Sequence, residues 1–510
     1  MCPTVWHKLD KYDLLAVGAV LGLSLLHAFH FNHVCDDAFI SFRYADNLVR
    51  GDGLVFNPGQ YVMGYSNLLW VLLLAAMQVV GIEPIAAGKL MGTVLAWGTL
   101  VRVYAYLRET YEDRLPALAA TSLLAAWGTF AMWIFGGLEG PLLAFLLLGG
   151  VLEAMRIGPD SGRGNYLKLG LWFGFAALTR PEAVFYSLPV AFWLLVRDRG
   201  RKRVTGVIGS LTIAWLCYAG FAAWAFFYYG DPLANSYYAK MHSLSLALLA
   251  RGWDITWWFL RGYLGVPLLI VLAWAAATRL RPNSPGWFPL SIIAAFVVFF
   301  LRVGGDALVY YRMWMWTLPM FALLAGEALG HLLTSPWRHR RAAAVAVVTL
   351  GLAATLQHSF FGREIGRLRR DDQFVRNAAA ISDALREAGR PLLVAANNVG
   401  AIAYGSNQAF VDMLGLNDRH IARAPGKEVG IPAHESHDGS YVLDRKPDLI
   451  FYGMPRLHGE PVSPQRAIEA GYPSDHDLMQ DPRFQRSYGF THLRVEDGRY
   501  APVFARRPEP

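Results

Sequence analysis

The feature that most constrains this chain is a recurrence of apolar stretches, each close to bilayer-spanning length, running up to about residue 360. A helical span needs about 20 mostly apolar residues, because the hydrocarbon core is roughly 30 Å thick. A backbone inside that core must satisfy its own polar groups, which leaves helices as the natural reading of such stretches. Composition agrees. The chain is 54% apolar and 17% charged, against about 25% charged in soluble proteins, and its mean hydropathy is +0.29. Residues 14–31, preceded by Lys8 and Lys11, have the outline of a signal peptide, but no small-residue cleavage site follows and many further spans do. They read as a retained first span. Cys2, Cys35 and Cys217 are scattered, with neither disulfide nor metal-ligand spacing.

The charges decide the threading. Residues 68–80 are apolar but short for a crossing. If they do not cross, spans follow at 85–107, 116–135, 141–155, 167–179, 182–196, 206–228, 263–279, 286–302, 311–332 and 342–358. The basic clusters (Arg108 and Arg114; Arg156, Arg163 and Lys168; Arg197 to Arg203; Arg279 and Arg281; Arg338 to Arg341) then all fall on one side. The positive-inside rule makes that side the cytoplasm. If residues 68–80 cross, every cluster moves outside. The non-crossing threading also accounts for the net charge of +8 without nucleic acid. It predicts an α-helical polytopic membrane protein with about eleven transmembrane helices, interfacial helices and a cytoplasmic N-terminus. Residues 1–360 form the membrane domain, with a first outer loop at 33–84. Residues 361–510 form a small extracytoplasmic α/β domain, with a helix at 371–388, strands at 391–396 and 448–452, and a loop at Pro425 and Gly426.

The unusual polar motifs gather on the outer face. Asp36 and Asp37 follow the first span, and Ile40, Arg43, Tyr44, Asn47 and Leu48 have the spacing of a short interfacial helix. A carboxylate there could take the proton of an attacking sugar hydroxyl; an aspartate there could equally cap the helix. Arg180 offers a forked donor to phosphate oxygens and Glu139 could hold an arginine, a metal or a sugar hydroxyl, or else Arg180 and Glu139 or Glu182 form a salt bridge bracing two spans. The segment Gly230 to Lys240, with Asn235, Tyr238 and Lys240, suits a sugar site or an aromatic interface belt. Asp306 lies close ahead of Tyr310, Tyr311 and Arg312. Lys240 and Arg312 are cations on the face where cations are scarce; anionic headgroups account for them, as does a bound lipid phosphate, which the nearby carboxylates favour. His27, His30 and His33 read as interfacial histidines. There is no Walker loop, dinucleotide fingerprint or HExxH motif.

As a set these motifs resemble the GT-C glycosyltransferases. The run Asp36-Asp37-Ala38-Phe39-Ile40-Ser41-Phe42-Arg43-Tyr44-Ala45, with Gly64-Tyr65-Ser66-Asn67 after it, is similar to their first outer loop. Gly137-Leu138-Glu139, Thr179 to Glu182, Asn235 to Lys240, Gly304-Gly305-Asp306 and Asp412 to Asp418 resemble, in order and spacing, the mycobacterial terminal β-(1→2)-arabinofuranosyltransferase family. The resemblance implies a polyprenyl-phosphate donor, such as decaprenylphosphoryl-arabinofuranose, and an inverting transfer to a cell-envelope glycan or glycoconjugate at the bacterial cytoplasmic membrane. It places the base on Asp36 first, with Asp37 beside it. Arg43, Tyr65, Asn67, Glu139, Arg180, Glu182, Asn235, Tyr238, Lys240, Asp306 and Arg312 become substrate-binding candidates. No cofactor is required by it, and a divalent cation is left open. Two departures stand out: a shorter tail, and Gly140 where threonine is expected after the glutamate. The alternative is a transporter or flippase of a lipid-linked saccharide. Transporters place ionisable residues near mid-bilayer, whereas here they gather at outer span ends.

Overall fold

The computed structural model describes residues 9–240, 244–264, 284–424, 430, 435–468 and 471–508. Among these, five helices are long and apolar enough to cross a membrane: Lys11–Phe31, Pro84–Thr110, Arg201–Tyr229, Val309–Thr334 and Arg340–Arg386. A sixth candidate is the pair Leu115–Ala126 and Gly128–Phe135, bent by 60° at Trp127, which is extended. The chain is a polytopic α-helical membrane protein, but the expected count of about eleven spans is corrected. Gly140–Arg156, Arg163–Thr179 and Trp287–Val303 have 17 residues each, about 25 Å of helix. The expected span at 182–196 divides into a 3-10 turn, Pro181–Tyr186, and an 11-residue helix, Ser187–Arg197. Apolar stretches can be counted in sequence; the points at which they break depend on packing. Most of the expected span at 263–279, and the loop at Pro425 and Gly426, lie outside the described residues.

The chain divides into two compact units. The first comprises Met1–His33, Gly88–Gly220 and Leu249–Gly366. Its first helix begins at a capping box: the Asp10 carboxylate accepts from Tyr12 N (2.9 Å) and Asp13 N (3.0 Å), and Asp13 accepts from Asp10 N. Asp13 is fully buried and accepts from Tyr104 Oη (2.7 Å), Arg108 Nε (3.0 Å) and Arg114 Nε (3.1 Å). A buried carboxylate needs such partners, and these tie three helices at one end. Elsewhere in this unit, the helix Arg163–Thr179 stops because Arg180 precedes Pro181. The proline ring pushes the residue before it out of the helical region, and Arg180 is extended at φ −150°, ψ 117°.

The second unit comprises Val34–Ala87, Phe221–Leu248 and Arg367–Pro510. It carries a five-stranded sheet: β1 (Leu393–Ala396), β2 (Ala409–Asp412), β3 (Leu449–Ile450), β4 (Tyr488–Arg494) and β5 (Tyr500–Arg506), ordered β2-β1-β3-β5-β4. The β2-β1-β3 part is parallel, and β5 joins it antiparallel, followed by its hairpin partner β4. Ala395, Val411, Ile450, Leu478 and Phe504 form its core. The expected strands at 391–396 and 448–452 contain β1 and β3, and the expected helix at 371–388 overlaps the helix Arg363–Arg386, which ends two residues earlier. The first outer loop supplies the helix Asp36–Arg50 and a 12-residue helix, Leu68–Val79. At about 18 Å, the latter is too short to cross a core of roughly 30 Å.

Candidate functional site

In the second unit the segment after the first span packs against the turns after β1 and β2 and along the edge strand β2. The turn after β1 runs through Asn397, Asn398, Val399 and Gly400. The Asp36 carboxylate accepts from Gly400 N at 3.2 Å and from Ala401 N at 2.8 Å. The approach is close enough to dictate the residue: a Cβ on Gly400 would lie 2.0 Å from the Asp36 carbonyl oxygen. Asp36 is buried, whereas Asp37 is half-buried. Burial raises Asp36 from the usual carboxylate range to about 7. The Ala401 and Gly400 N–H groups pull the other way, and the like charges of Asp37 and Asp371 add to the rise. Such a group changes charge near neutrality, as a proton acceptor should.

The rest of the loop is locked by side chains buried among main-chain carbonyls. Arg43 donates from Nε to Phe56 O (2.7 Å), from Nη2 to Gln408 O (2.7 Å) and from Nη1 to Ala403 O, with its guanidinium 4.6 Å above the Phe56 ring. Burial holds Arg43 down at about 10. Tyr65 Oη is 3.1 Å from Tyr229 Oη, and Asn67 Nδ2 donates to Ser41 Oγ at 3.1 Å. Three of the substrate-binding candidates are therefore engaged in holding the loop together.

The turn after β2 is the Asp412 to Asp418 motif. Buried Asp412 accepts from Leu414 N (3.0 Å), Asn417 N (2.8 Å) and Asn417 Nδ2 (3.0 Å), and burial raises it to about 6. Asn235 Nδ2 donates to the carbonyls of Gly415 (2.6 Å) and Asp418 (2.9 Å), while Asn235 N donates to Met63 O (2.7 Å). Tyr238 donates to Asp231 (3.0 Å) and lies 3.9 Å beneath the Arg423 guanidinium, which also pairs with Asp231. Lys240, half-buried, closes this segment.

The other candidates lie in the first unit, in two ion-paired groups. Arg180 donates from Nε to Glu182 (2.7 Å) and from Nη1 to Glu139 (3.2 Å), with Trp316 5.7 Å from its guanidinium. Burial lowers the Arg180 pKa, but the two glutamates outweigh it and the group stays above the usual arginine range. Arg312 forks onto Asp306, with Nε–Oδ2 at 3.0 Å and Nη2–Oδ1 at 3.2 Å. Between Asp306 and Arg312 the chain turns sharply, with Tyr310 and Tyr311 left-handed at φ 51° and 48°. The Tyr310 N–H donates to buried Glu364 at 2.9 Å.

Residues with no reading in the sequence complete the picture. Asp475, fully buried, accepts from Tyr472 N (2.7 Å), Gly453 N (3.1 Å) and Asn397 Nδ2 (2.8 Å), joining the turns after β1 and β3. Its only sequence trace is a cap-like spacing behind Tyr472 and Pro473. Glu364 and Asn57, which donates to Phe410 O and accepts from Phe410 N, gave none. Among the described residues no group of three or more His, Cys, Asp or Glu is arranged to hold a metal.

Residues 366–499 match a family described as a domain of unknown function, DUF8728. The chain is 29% identical over 337 residues to the terminal β-(1→2)-arabinofuranosyltransferase of Corynebacterium glutamicum, covering 57% of this chain and 47% of that protein. It thus spans about half the length of the curated relative it matches. Among solved structures, it is similar to ArnT from Cupriavidus metallidurans bound to undecaprenyl phosphate, with a TM-score of 0.59 at 14% identity over 96% of this chain and 98% of that one. It is also similar to the archaeal oligosaccharyltransferase AglB from Archaeoglobus fulgidus in complex with an inhibitory peptide and a dolichol-phosphate, with a TM-score of 0.59 at 10% identity over 98% of this chain and 75% of that one. At such identities the likeness is one of fold: a GT-C-like membrane architecture with a small C-terminal α/β domain.

Proposed function

We propose that this chain is a membrane glycosyltransferase that moves a sugar from a polyprenyl-phosphate donor to a glycan or glycoconjugate acceptor, on the outer face of the cytoplasmic membrane. The observation that carries this reading is the Asp36 carboxylate, oriented by two main-chain N–H groups and raised to about 7. Those N–H groups occupy only part of a carboxylate's acceptor capacity, leaving lone pairs for a hydroxyl. In the proposed step the acceptor oxygen attacks the anomeric carbon from the side opposite the phosphate. The bond from that carbon to the phosphate oxygen breaks, and polyprenyl phosphate leaves with the electron pair. The hydroxyl proton passes to Asp36, and the anomeric centre inverts. Asp37 orients the acceptor.

The proposed partners for the phosphate are Arg180, Lys240 and Arg312. Arg180 and Arg312 already hold carboxylates, so a phosphate would be bound by exchange of partner. The curated relative's name supports arabinofuranose as the sugar. The test is purified protein with a panel of polyprenyl-phosphate sugars and mixed glycan acceptors, reading released polyprenyl phosphate. Release dependent on both substrates is expected, with the arabinofuranosyl donor the best. Movement of an intact lipid-linked sugar across vesicles, with no release from any donor, would replace the enzyme by a flippase.

A further inference from the structure

The tail carries a cavity of about 640 Å³ that the proposed chemistry leaves unused. Its volume lies within the roughly 300–1,000 Å³ usual for ligand pockets, and it opens beside the turn after β2, on the carboxyl-end side of the parallel strands where α/β folds hold ligands. Asn417 and Asp418 on its wall belong to the turn gripped by Asn235.

The lining is rich in charge, and its charged side chains are already engaged, Arg419 by donating to the Tyr229 carbonyl. Arg445 lies 3.7 Å from Asp418 and donates to Tyr441 Oη at 2.8 Å, and Arg423 pairs with Asp231. His420 Nε2 sits 2.7 Å from Asp438. A polyanion would meet Asp418 and Asp438, and a lipid tail would strip water from the paired guanidinium and carboxylate groups. A polyol meets neither cost, because each hydroxyl both donates and accepts.

Flat ring faces complete the pattern. The His420 imidazole stacks on Tyr441, with centroids 4.0 Å apart at 13°, and its Asp438 contact fixes the ring. Tyr61 is 51% exposed and is held edge-on by Tyr228 at 5.2 Å. Rigid aromatic faces beside polar groups suit ligands with both an apolar face and hydroxyls.

We infer that this cavity binds a neutral oligosaccharide segment of the acceptor, away from its reacting end. The inference rests on the glycosyltransferase reading and names where the acceptor chain is held. The test uses the full chain in nanodiscs with a neutral arabino-oligosaccharide, a sulfated oligosaccharide of equal length and inorganic phosphate, with binding measured by calorimetry. Tyr61→Ala and His420→Ala change exposed side chains outside the proposed catalytic machinery. Each should raise the dissociation constant for the neutral oligosaccharide tenfold or more, with unfolding midpoints and turnover on a monosaccharide acceptor unchanged. No saturable binding by the unaltered protein, unchanged affinity in both variants, or preference for the sulfated chain or phosphate would overturn the inference. Oligosaccharide binding that both variants weaken, in a protein with no turnover on any donor, would sustain the cavity's ligand and sink the enzyme reading instead.

Discussion

At Asp36, two main-chain N–H groups should hold a carboxylate low, yet burial and the neighbouring Asp37 and Asp371 carry it to about 7. If Asp36 is the base, turnover rises with pH through about 7, because only the ionised form accepts a proton. Asp36→Asn should remove that limb and lower turnover by roughly 10²–10⁴-fold. A limb that survives Asp36→Asn but is lost in Asp37→Asn would exchange the two roles. The same shift has a sign in stability. Unfolded, the group titrates near 3.8. From there up to about pH 7 the folded protein keeps a proton the unfolded chain has released, so this group's contribution to stability falls as pH rises. Asn at position 36 is neutral throughout and should flatten part of the pH–Tm profile. Asp412 and Asp475, both raised to about 6, preserve the remainder. The pair was legible in the sequence as a candidate base or cap. Its anchorage was not, since the N–H donors lie 364 and 365 residues further on.

The loop elements show what the motif side chains hold in the folded chain. Arg43, Tyr65, Asn67 and Asn235 are substrate candidates through the resemblance of their motifs. In the structure Arg43 and Asn235 serve main-chain carbonyls of turns, while Tyr65 meets Tyr229 and Asn67 meets Ser41. β2 has only four residues to show a period, and the seven-residue β5 carries Pro502, which argues against a strand in sequence. Gly400→Ala tests the seating of the Asp36 turn: with a Cβ 2.0 Å from the Asp36 carbonyl, overpacking should cost about 1–3 kcal/mol, read as a lower unfolding midpoint. An unchanged midpoint would mean that the turn yields freely. Arg180 belongs to a different element and a different expectation. Its side chain is only 14% exposed, between Glu139 and Glu182, so Arg180→Ala takes the cation from both ion pairs, at about 3–5 kcal/mol. Restored stability on adding Glu139→Gln and Glu182→Gln would identify a brace; lost donor affinity in that stable triple variant would identify a phosphate ligand.

For the whole molecule the question is which side of the membrane the tail occupies, and it turns on one short segment. If the segment at 68–80 crossed, every basic cluster would lie outside, against the positive-inside rule. The helix there is Leu68–Val79, with 12 residues. At about 18 Å it falls well short of a hydrocarbon core of roughly 30 Å, and the conflict between charge and crossing disappears. The fold class was readable from apolar stretches alone, but the number of full-length spans was not, because breaks at Trp127 and Arg180 depend on packing and on one proline. The expected sidedness rests on where the charges fall relative to Leu68–Val79 and on the crossings between them. The test is cysteine labelling in intact cells with an impermeant maleimide, after the native cysteines are replaced. Arg199→Cys lies in the basic loop expected in the cytoplasm and should stay unlabelled until the cells are opened. Glu496→Cys, exposed on the tail, should label at once. Labelling at 199 but not at 496 would invert the protein, place Asp36 on the cytoplasmic side and remove the outer-face donor from the proposed reaction.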